Sequence, residues 1–225
     1  MSTYSDSIVP GVIIALQVIV LLYLVILVSL TCARRTKRQM LVRVFQETAS
    51  CLNKNGIPYV IFWGTLLGSQ REHQIIQNDD DADFVVFGKQ NADKAMQVLA
   101  AEYGRHRFRK STPRKFYANA NRGLFAGIHV DLQYAERGGD GRWVRSGDPM
   151  AHLGIMPENT PERREAVVMH GVTVYKPPDP HALLVELYGH DYMTPIPYKK
   201  TDGDPRHDSR VMKFRQSLKK IGLYI

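Results

Sequence analysis

The feature that most limits how this chain can fold is an apolar run near its N-terminus. From Ile8 to Leu30 the sequence has no charged residue. About 20 apolar residues suffice for a helix to cross the hydrocarbon core of a bilayer. No basic residue precedes the run, and its apolar part is longer than that of a typical cleaved signal peptide. We therefore predict a single-pass transmembrane anchor over residues 8–31, after a short N-terminal tail at residues 1–7.

A basic cluster follows the predicted anchor, formed by Arg34, Arg35, Lys37 and Arg38. We predict that residues 32–39 are a juxtamembrane linker whose side chains lie against anionic lipid headgroups. Because no basic residue precedes the apolar run, the positive-inside rule places the remainder of the chain in the cytosol. The absence of an Asn-x-Ser/Thr glycosylation site agrees with that side of the membrane.

Hydrophobic periodicity and turn residues predict a single domain of mixed α/β class over residues 40–225. The pattern predicts a mixed sheet flanked by helices, because apolar strand-like runs alternate with amphipathic segments. The predicted helices lie at 40–52, 91–103 and 179–188, with a short one after Gly64, and the predicted strands lie at 59–62, 84–87, 115–119, 127–135, 142–145, 167–169 and 172–175.

Three aspartates in or beside these strands predict a metal site. Asp81 and Asp83 are two residues apart at the start of a strand, so both side chains leave the same face. Asp131 lies in a strand in which apolar and polar residues alternate, and His129 shares its face. If the two strands are neighbours, the three carboxylates converge, and their repulsion requires one or two divalent cations between them.

Such a site suits phosphoryl transfer, because a cation held by carboxylates neutralises phosphate oxygens and activates an attacking hydroxyl. All-oxygen ligands favour Mg²⁺ or Mn²⁺. Gly64, Thr65 and Gly68 lie where a strand runs into a helix, so backbone N–H groups there are expected to bind phosphate. A calcium-binding EF-hand is excluded, because Phe84 and Gln90 occupy the positions that require glycine and glutamate.

These residues resemble the signature of the LicD family, which includes the fukutins and the bacterial phosphocholine transferases. The resemblance rests on the internal spacing of Gly64-Thr-Leu-Leu-Gly68, Arg71, Ile76 and Asp79-Asp-Asp-Ala-Asp83. A second block is similar to the C-terminal part of that family and contains Leu184, Tyr188-Gly189, Asp191 and Pro195. Two departures are Ile76-Gln77-Asn78, where the family usually has Ile-Pro-Trp, and Ala82 in place of a larger aliphatic residue.

The resemblance implies a nucleotidyltransferase fold that transfers a phosphoalcohol, such as phosphocholine or ribitol phosphate, from a CDP-linked donor to a glycan hydroxyl. It implies catalytic and metal-binding roles for Asp81, Asp83 and Asp131, and binding of a donor phosphate by Arg71. Asp191 is predicted in the substrate site, as a base or a further metal contact, and capping of the preceding helix end is the alternative role. The cysteines that hold zinc in some fukutin relatives are missing, so we predict no zinc. The fukutins are Golgi proteins with lumenal catalytic domains, whereas the bacterial members are cytoplasmic. A Golgi or other internal membrane is therefore a compatible location. The positive-inside rule favours a cytosolic catalytic domain and the resemblance to the fukutins favours a lumenal one, so the side of the membrane stays open.

Two other classes of function are compatible with the residues. The formal net charge of +8 permits a nucleotidyltransferase that acts on RNA, although a membrane anchor makes that role awkward. A noncatalytic protein that has kept the fold is the other alternative. The basic stretch from Arg105 to Lys115 suits a phosphate-rich ligand and equally a solvated hairpin at a sheet edge.

Overall fold

The computed structural model describes residues 5–77, 79–104, 108–112, 115–119, 128–139, 141–145 and 160–194. It confirms the predicted mixed α/β class, with a sheet and helices alternating along the chain. The helices are α1 (Ser5–Lys54), α2 (Trp63–Glu72), α3 (Lys89–Tyr103), α4 (Thr160–Arg163) and α5 (Pro180–Tyr188). The strands are β1 (Tyr59–Ile61), β2 (Asp81–Phe87), β3 (Phe108–Thr112), β4 (Lys115–Asn119), β5 (His129–Arg137), β6 (Trp143–Arg145), β7 (Glu165–Met169) and β8 (Val172–Lys176).

The main sheet has the strand order β1-β2-β5-β4-β3, and β6 pairs with the end of β5. Strands β2 and β5 are parallel neighbours, whereas the other pairs are antiparallel. The predicted convergence of the two acidic strands required this adjacency, and it is present. Strands β3 and β4 form a hairpin at the sheet edge, which is the second of the two interpretations of the basic stretch.

The core forms where α1 packs against the apolar middle of the sheet. Phe45 of α1 contacts Phe84 of β2 with 5.4 Å between ring centroids, and the ring of Tyr59 of β1 also lies 5.4 Å from the Phe84 ring. All three rings are completely buried. The Tyr59 hydroxyl donates to Asn53 Oδ1 at 3.2 Å, so the core tyrosine keeps a hydrogen-bond partner. This packing fixes β2, and with it the acidic residues at its start.

The β7-β8 hairpin is a separate two-stranded sheet, and its turn contacts the segment before β2. His170 Nε2 accepts a hydrogen bond from the backbone N–H of Ile75 at 3.1 Å. Burial and the nearby Arg38 guanidinium lower the pKa of His170, which keeps the imidazole neutral and able to accept that bond. His170 therefore has a structural role, although its residue type also suits a general base.

Helix α1 is continuous from Ser5 to Lys54, so residues 32–39, predicted as a linker, are helical. The helix is long and apolar enough in its first part to cross a membrane, by length and composition. Two of the basic residues predicted to lie on lipid headgroups also make contacts within the protein. Lys37 Nζ lies 3.6 Å from Asp80 Oδ2, and Arg38 Nη2 donates to Gln74 Oε1 at 3.0 Å. These contacts hold the segment between α2 and β2, within the compact unit of residues 37–198.

Candidate active site

The register of the parallel β2-β5 pair brings polar residues together on one face of the sheet. Asp81 lies opposite His129, and Asp83 lies opposite Asp131. Because side chains alternate along a strand, residues two apart share a face, so all four side chains project from the same side. Asp131 is buried at 5% relative exposure, in contrast to the half-buried Asp81 and Asp83.

The imidazole of His129 lies between two of the carboxylates. Its Nε2 is 3.7 Å from Asp81 Oδ2 and 3.6 Å from Asp131 Oδ1. One ligand atom from each of these three residues lies within 4.8 Å of the others, which is close enough for them to hold one metal ion. We call Asp81, His129 and Asp131 the metal-binding group, as the three residues that could hold an ion. Asp83, which was predicted to form a metal-binding pair with Asp81, is on the same face and in register with Asp131, and its metal role stays a prediction.

The segment before β2 adds further negative charge to this site. Asp79, Asp80 and Asp81 form a second group whose carboxylate oxygens lie within 4.8 Å of one another. Burial, together with the neighbouring carboxylate of Asp81, raises the pKa of Asp79 to about 8. Several carboxylates thus crowd into one place, which is unfavourable without a compensating cation. The donor set and its electrostatics therefore fit a divalent metal ion, and the geometry leaves its identity open.

The predicted phosphate-binding turn begins α2 and contacts the acidic strand. Thr65 is buried, and its Oγ1 accepts a hydrogen bond from the backbone N–H of Asp83 at 2.8 Å. A Cβ atom added at Gly64 would lie 2.9 Å from Asp79 Oδ2, so a side chain there would displace the Asp79 carboxylate. Trp63, just before this glycine, has a φ of 47°, which costs energy for a residue with a side chain. The Thr65 hydroxyl therefore positions Asp83.

Gly68 is required by packing within the protein. A Cβ atom added at this position would lie 2.3 Å from the backbone oxygen of Gln74 and 3.1 Å from the backbone nitrogen of Ile76. Both atoms belong to the segment that leads from α2 into the acidic residues. Gly68 thus allows that segment to fold back on α2, and the predicted substrate-binding role remains untested.

Arg71 connects α2 to the turn that follows α5. Its guanidinium donates from Nε and Nη2 to the carbonyl oxygen of Tyr192, and Nη2 also donates to the carbonyl oxygen of Thr194 at 3.1 Å. Asp191 is exposed in the same turn, where its carbonyl oxygen accepts from the Thr194 N–H at 2.8 Å. The two matched sequence blocks therefore meet in space through Arg71. The substrate-binding roles predicted for Arg71 and Asp191 stay predictions.

Tyr188, at the end of α5, is a residue that sequence reasoning placed in a motif without giving it a role. Tyr188 is 38% exposed, and the partial burial of its hydroxyl raises the pKa of that group, as do the negative charges of Asp83, Asp79 and Asp81. The phenol hydroxyl therefore interacts electrostatically with these three aspartates, and it stays protonated. Like Tyr188, His129 and Asp79 lie in the site although the sequence pattern assigned neither of them a specific role. The signal for His129 was its shared face with Asp131.

Paired acidic side chains at the start of two neighbouring parallel strands, beside a glycine-threonine turn, define a transferase of nucleotidyltransferase type. The family model described as "LicD/FKTN/FKRP, nucleotidyltransferase domain" matches residues 56–144, and this segment of the chain is similar to that family. The match includes Gly64 to Asp83 and extends through Asp131. The predicted resemblance to this family is confirmed. No curated protein matches the chain at the level of sequence.

Several solved structures resemble the chain weakly. A crystal structure of ANT(2″)-Ia in complex with adenylyl-2″-tobramycin has 15% identity and a TM-score of 0.46, covering 80% of this chain and 89% of that one. A solution structure of the antibiotic-resistance factor ANT(2″)-Ia has 15% identity and a TM-score of 0.45, covering 80% and 84%. An antigenic nucleotidyltransferase-like protein from Paracoccidioides brasiliensis has 15% identity and a TM-score of 0.43, covering 83% and 94%.

Proposed function

We propose that the chain is a metal-dependent phosphotransferase that moves a phosphoalcohol from a CDP-linked donor to the hydroxyl of a glycan or glycoconjugate. The observation that carries the proposal is the register of β2 and β5, which aligns Asp83 with Asp131 inside a segment matched by the LicD-family model. Phosphocholine and ribitol phosphate are the transferred groups that the family resemblance suggests.

In the proposed reaction, Asp81, Asp83 and Asp131 would hold Mg²⁺ or Mn²⁺. The bound cation would neutralise charge on the donor phosphates. Backbone N–H groups at the start of α2, near Gly64, bind the donor phosphate, because the first turn of a helix has N–H groups without partners inside the helix. The acceptor hydroxyl attacks the phosphorus that carries the alcohol, its proton passes to a carboxylate of the site, and CMP leaves.

We also propose the organisation of the whole chain, with residues 8–31 as a membrane anchor and residues 40–225 as the catalytic domain. The continuous apolar helix supports the anchor by length and composition. A membrane-bound acceptor, or one delivered within an internal membrane such as the Golgi, would suit that arrangement. Asparagine-linked glycosylation of a tag inserted after residue 225 would indicate a lumenal domain, and its absence would favour the cytosolic side.

The proposed reaction is tested with the purified full-length chain, CDP-ribitol, CDP-glycerol or CDP-choline, and a glycan acceptor. We expect CMP release only with Mg²⁺ or Mn²⁺, and we expect Asp83→Asn to lower the rate by about a hundredfold or more without lowering the melting temperature. Asp93→Asn is the matched control, because Asp93 is exposed on α3 and pairs with Lys89. The control should keep the wild-type rate.

Three outcomes would contradict the proposal. Full activity in Asp83→Asn would exclude the proposed site. Tight, strongly salt-dependent RNA binding without any CDP-alcohol turnover would favour an RNA-directed nucleotidyltransferase. Absence of any metal-dependent rise in thermal stability, with all three aspartates present, would favour a noncatalytic member of the fold.

A further inference from the structure

Among the residues that the structure describes, His129 supplies the one nitrogen ligand atom of the metal-binding group, and Asp81 and Asp131 supply carboxylate oxygens. His129 begins β5 directly opposite Asp81, and its backbone N–H donates to the carbonyl oxygen of Asp80 at 3.2 Å. The β2-β5 ladder and this hydrogen bond fix the backbone of His129 against the acidic segment. The position of the imidazole is therefore set by the fold, and not by a flexible loop.

Nε2 of His129 lies too far from the two carboxylate oxygens for hydrogen bonds but near enough for all three atoms to contact one ion. Nε2 lies 3.6 Å and 3.7 Å from the two carboxylate oxygens, longer than the roughly 2.7–2.9 Å of a charge-assisted hydrogen bond. Around a cation with bonds of about 2.1 Å, neighbouring ligand atoms would be about 3 Å apart and opposite ones about 4.2 Å apart. The observed separations fall between these two values.

The site is also accessible on the side where the imidazole lies. The side chain of His129 is 28% exposed and that of Asp81 is 32% exposed, whereas that of Asp131 is 8% exposed. An ion can therefore reach Nε2 and Asp81 from solvent, while Asp131 forms the buried end of the metal-binding group. The three side chains therefore line one site, which is open to solvent at His129 and Asp81 and closed at Asp131.

We infer that Nε2 of His129 is a ligand of the catalytic metal ion and that it makes the site prefer Mn²⁺ to Mg²⁺. The inference rests on the proposed function, because it concerns the same metal site. Mg²⁺ prefers oxygen ligands in near-ideal octahedral geometry and retains its waters, whereas imidazole suits transition metals. One nitrogen ligand in place of an oxygen should therefore weaken Mg²⁺ binding more than Mn²⁺ binding.

The direct test is pulsed electron paramagnetic resonance of the full-length chain loaded with Mn²⁺ in detergent. A coordinated imidazole couples its ¹⁴N nucleus to the Mn²⁺ electrons, and labelling histidine with ¹⁵N should change that coupling. We expect a histidine nitrogen signal in the wild-type protein and its loss in His129→Gln. The matched control is His73→Asn, because His73 is exposed at the end of α2 and asparagine tolerates its φ of 53°. That control should keep the signal.

A competition titration supplies a second measurement. We expect the ratio of Mg²⁺ to Mn²⁺ dissociation constants to fall by about tenfold in His129→Gln and to stay unchanged in His73→Asn. Bound Mn²⁺ without a histidine signal in the wild-type protein, or an unchanged ratio in His129→Gln, would overturn the inference and leave the proposed transfer reaction intact. Failure of the wild-type protein to bind either ion would overturn both proposals.

Discussion

The β2-β5 ladder and the start of α2 carry the two halves of the predicted site, and they use their residues differently. On the ladder, Asp81, His129 and Asp131 direct polar atoms at one another, which leaves like charges crowded together. On α2, Thr65 and Arg71 use their side chains to bond backbone atoms elsewhere in the domain. One sequence motif can thus contain residues whose side chains form the candidate site and residues whose side chains position its backbone.

The largest difference between the two regions should appear in Asp131→Asn. Removal of this charge should lower turnover by about a hundredfold to a thousandfold, because the site loses a proposed metal ligand. Without metal, the free energy of unfolding should stay the same or rise, since repulsion from Asp83 is relieved. Kinetic assays and denaturant titrations with and without Mn²⁺ measure both effects. A large loss of stability in the metal-free variant would show that Asp131 is mainly structural.

The next largest effect should come from Gly68→Ala, which tests the scaffold role of α2. The new Cβ atom would lie 2.3 Å from the Gln74 backbone oxygen, so the segment leading to the acidic residues must move. We expect a loss of about 3 kcal/mol in the free energy of unfolding. Gly139→Ala is the control, because a Cβ atom added there meets nothing within 4 Å, and it should change stability by less than about 0.5 kcal/mol. Equal stability of the two variants would refute the packing argument.

The smallest effect is expected from Arg71→Lys, which decides between the two roles of that residue. Lysine keeps the charge but cannot make the forked contact with the Tyr192 and Thr194 carbonyl oxygens, so we expect a loss of about 1 kcal/mol in stability. Unfolding in the absence of donor measures that loss. A raised KM for the CDP-linked donor with unchanged stability would instead assign Arg71 to phosphate binding.

The sequence was sufficient for the central part of the fold because its signals are local. The apolar run that forms β2 and the turn around Gly171 have strong local patterns, and the structure has them close to the predicted bounds. Strand β3 was predicted only as part of one of two interpretations of the basic stretch, because its sequence FRKST lacks alternation and its strand form depends on pairing with β4. The continuity of α1 was missed because the basic cluster was interpreted by its charge. Lysine and arginine are good helix formers, and neither glycine nor proline interrupts residues 31–54.

The candidate site was predictable to the extent that strand geometry determines it. The spacing of Asp81 and Asp83, and the alternation around Asp131, placed the carboxylates on one face before their strands were known to pair. The contacts of Arg71 and Thr65 were not predictable, because their partners lie 121 and 18 residues away in the sequence. The contact of Lys37 with Asp80 is long-range in the same way. The periodicity of apolar residues does not indicate which distant segments will lie next to each other in the fold.

The parallel register of β2 and β5 makes the candidate site sensitive to insertions and deletions. A shift of β5 by one residue would turn His129, Asp131 and Gln133 to the opposite side of the sheet and bring Val130 and Leu132 to the acidic side. Such a shift would also bury charge in the hydrophobic layer, so the protein would lose its fold along with its activity. We therefore expect a one-residue shift of this register to give an unstable protein that the cell degrades, and not a stable but inactive enzyme.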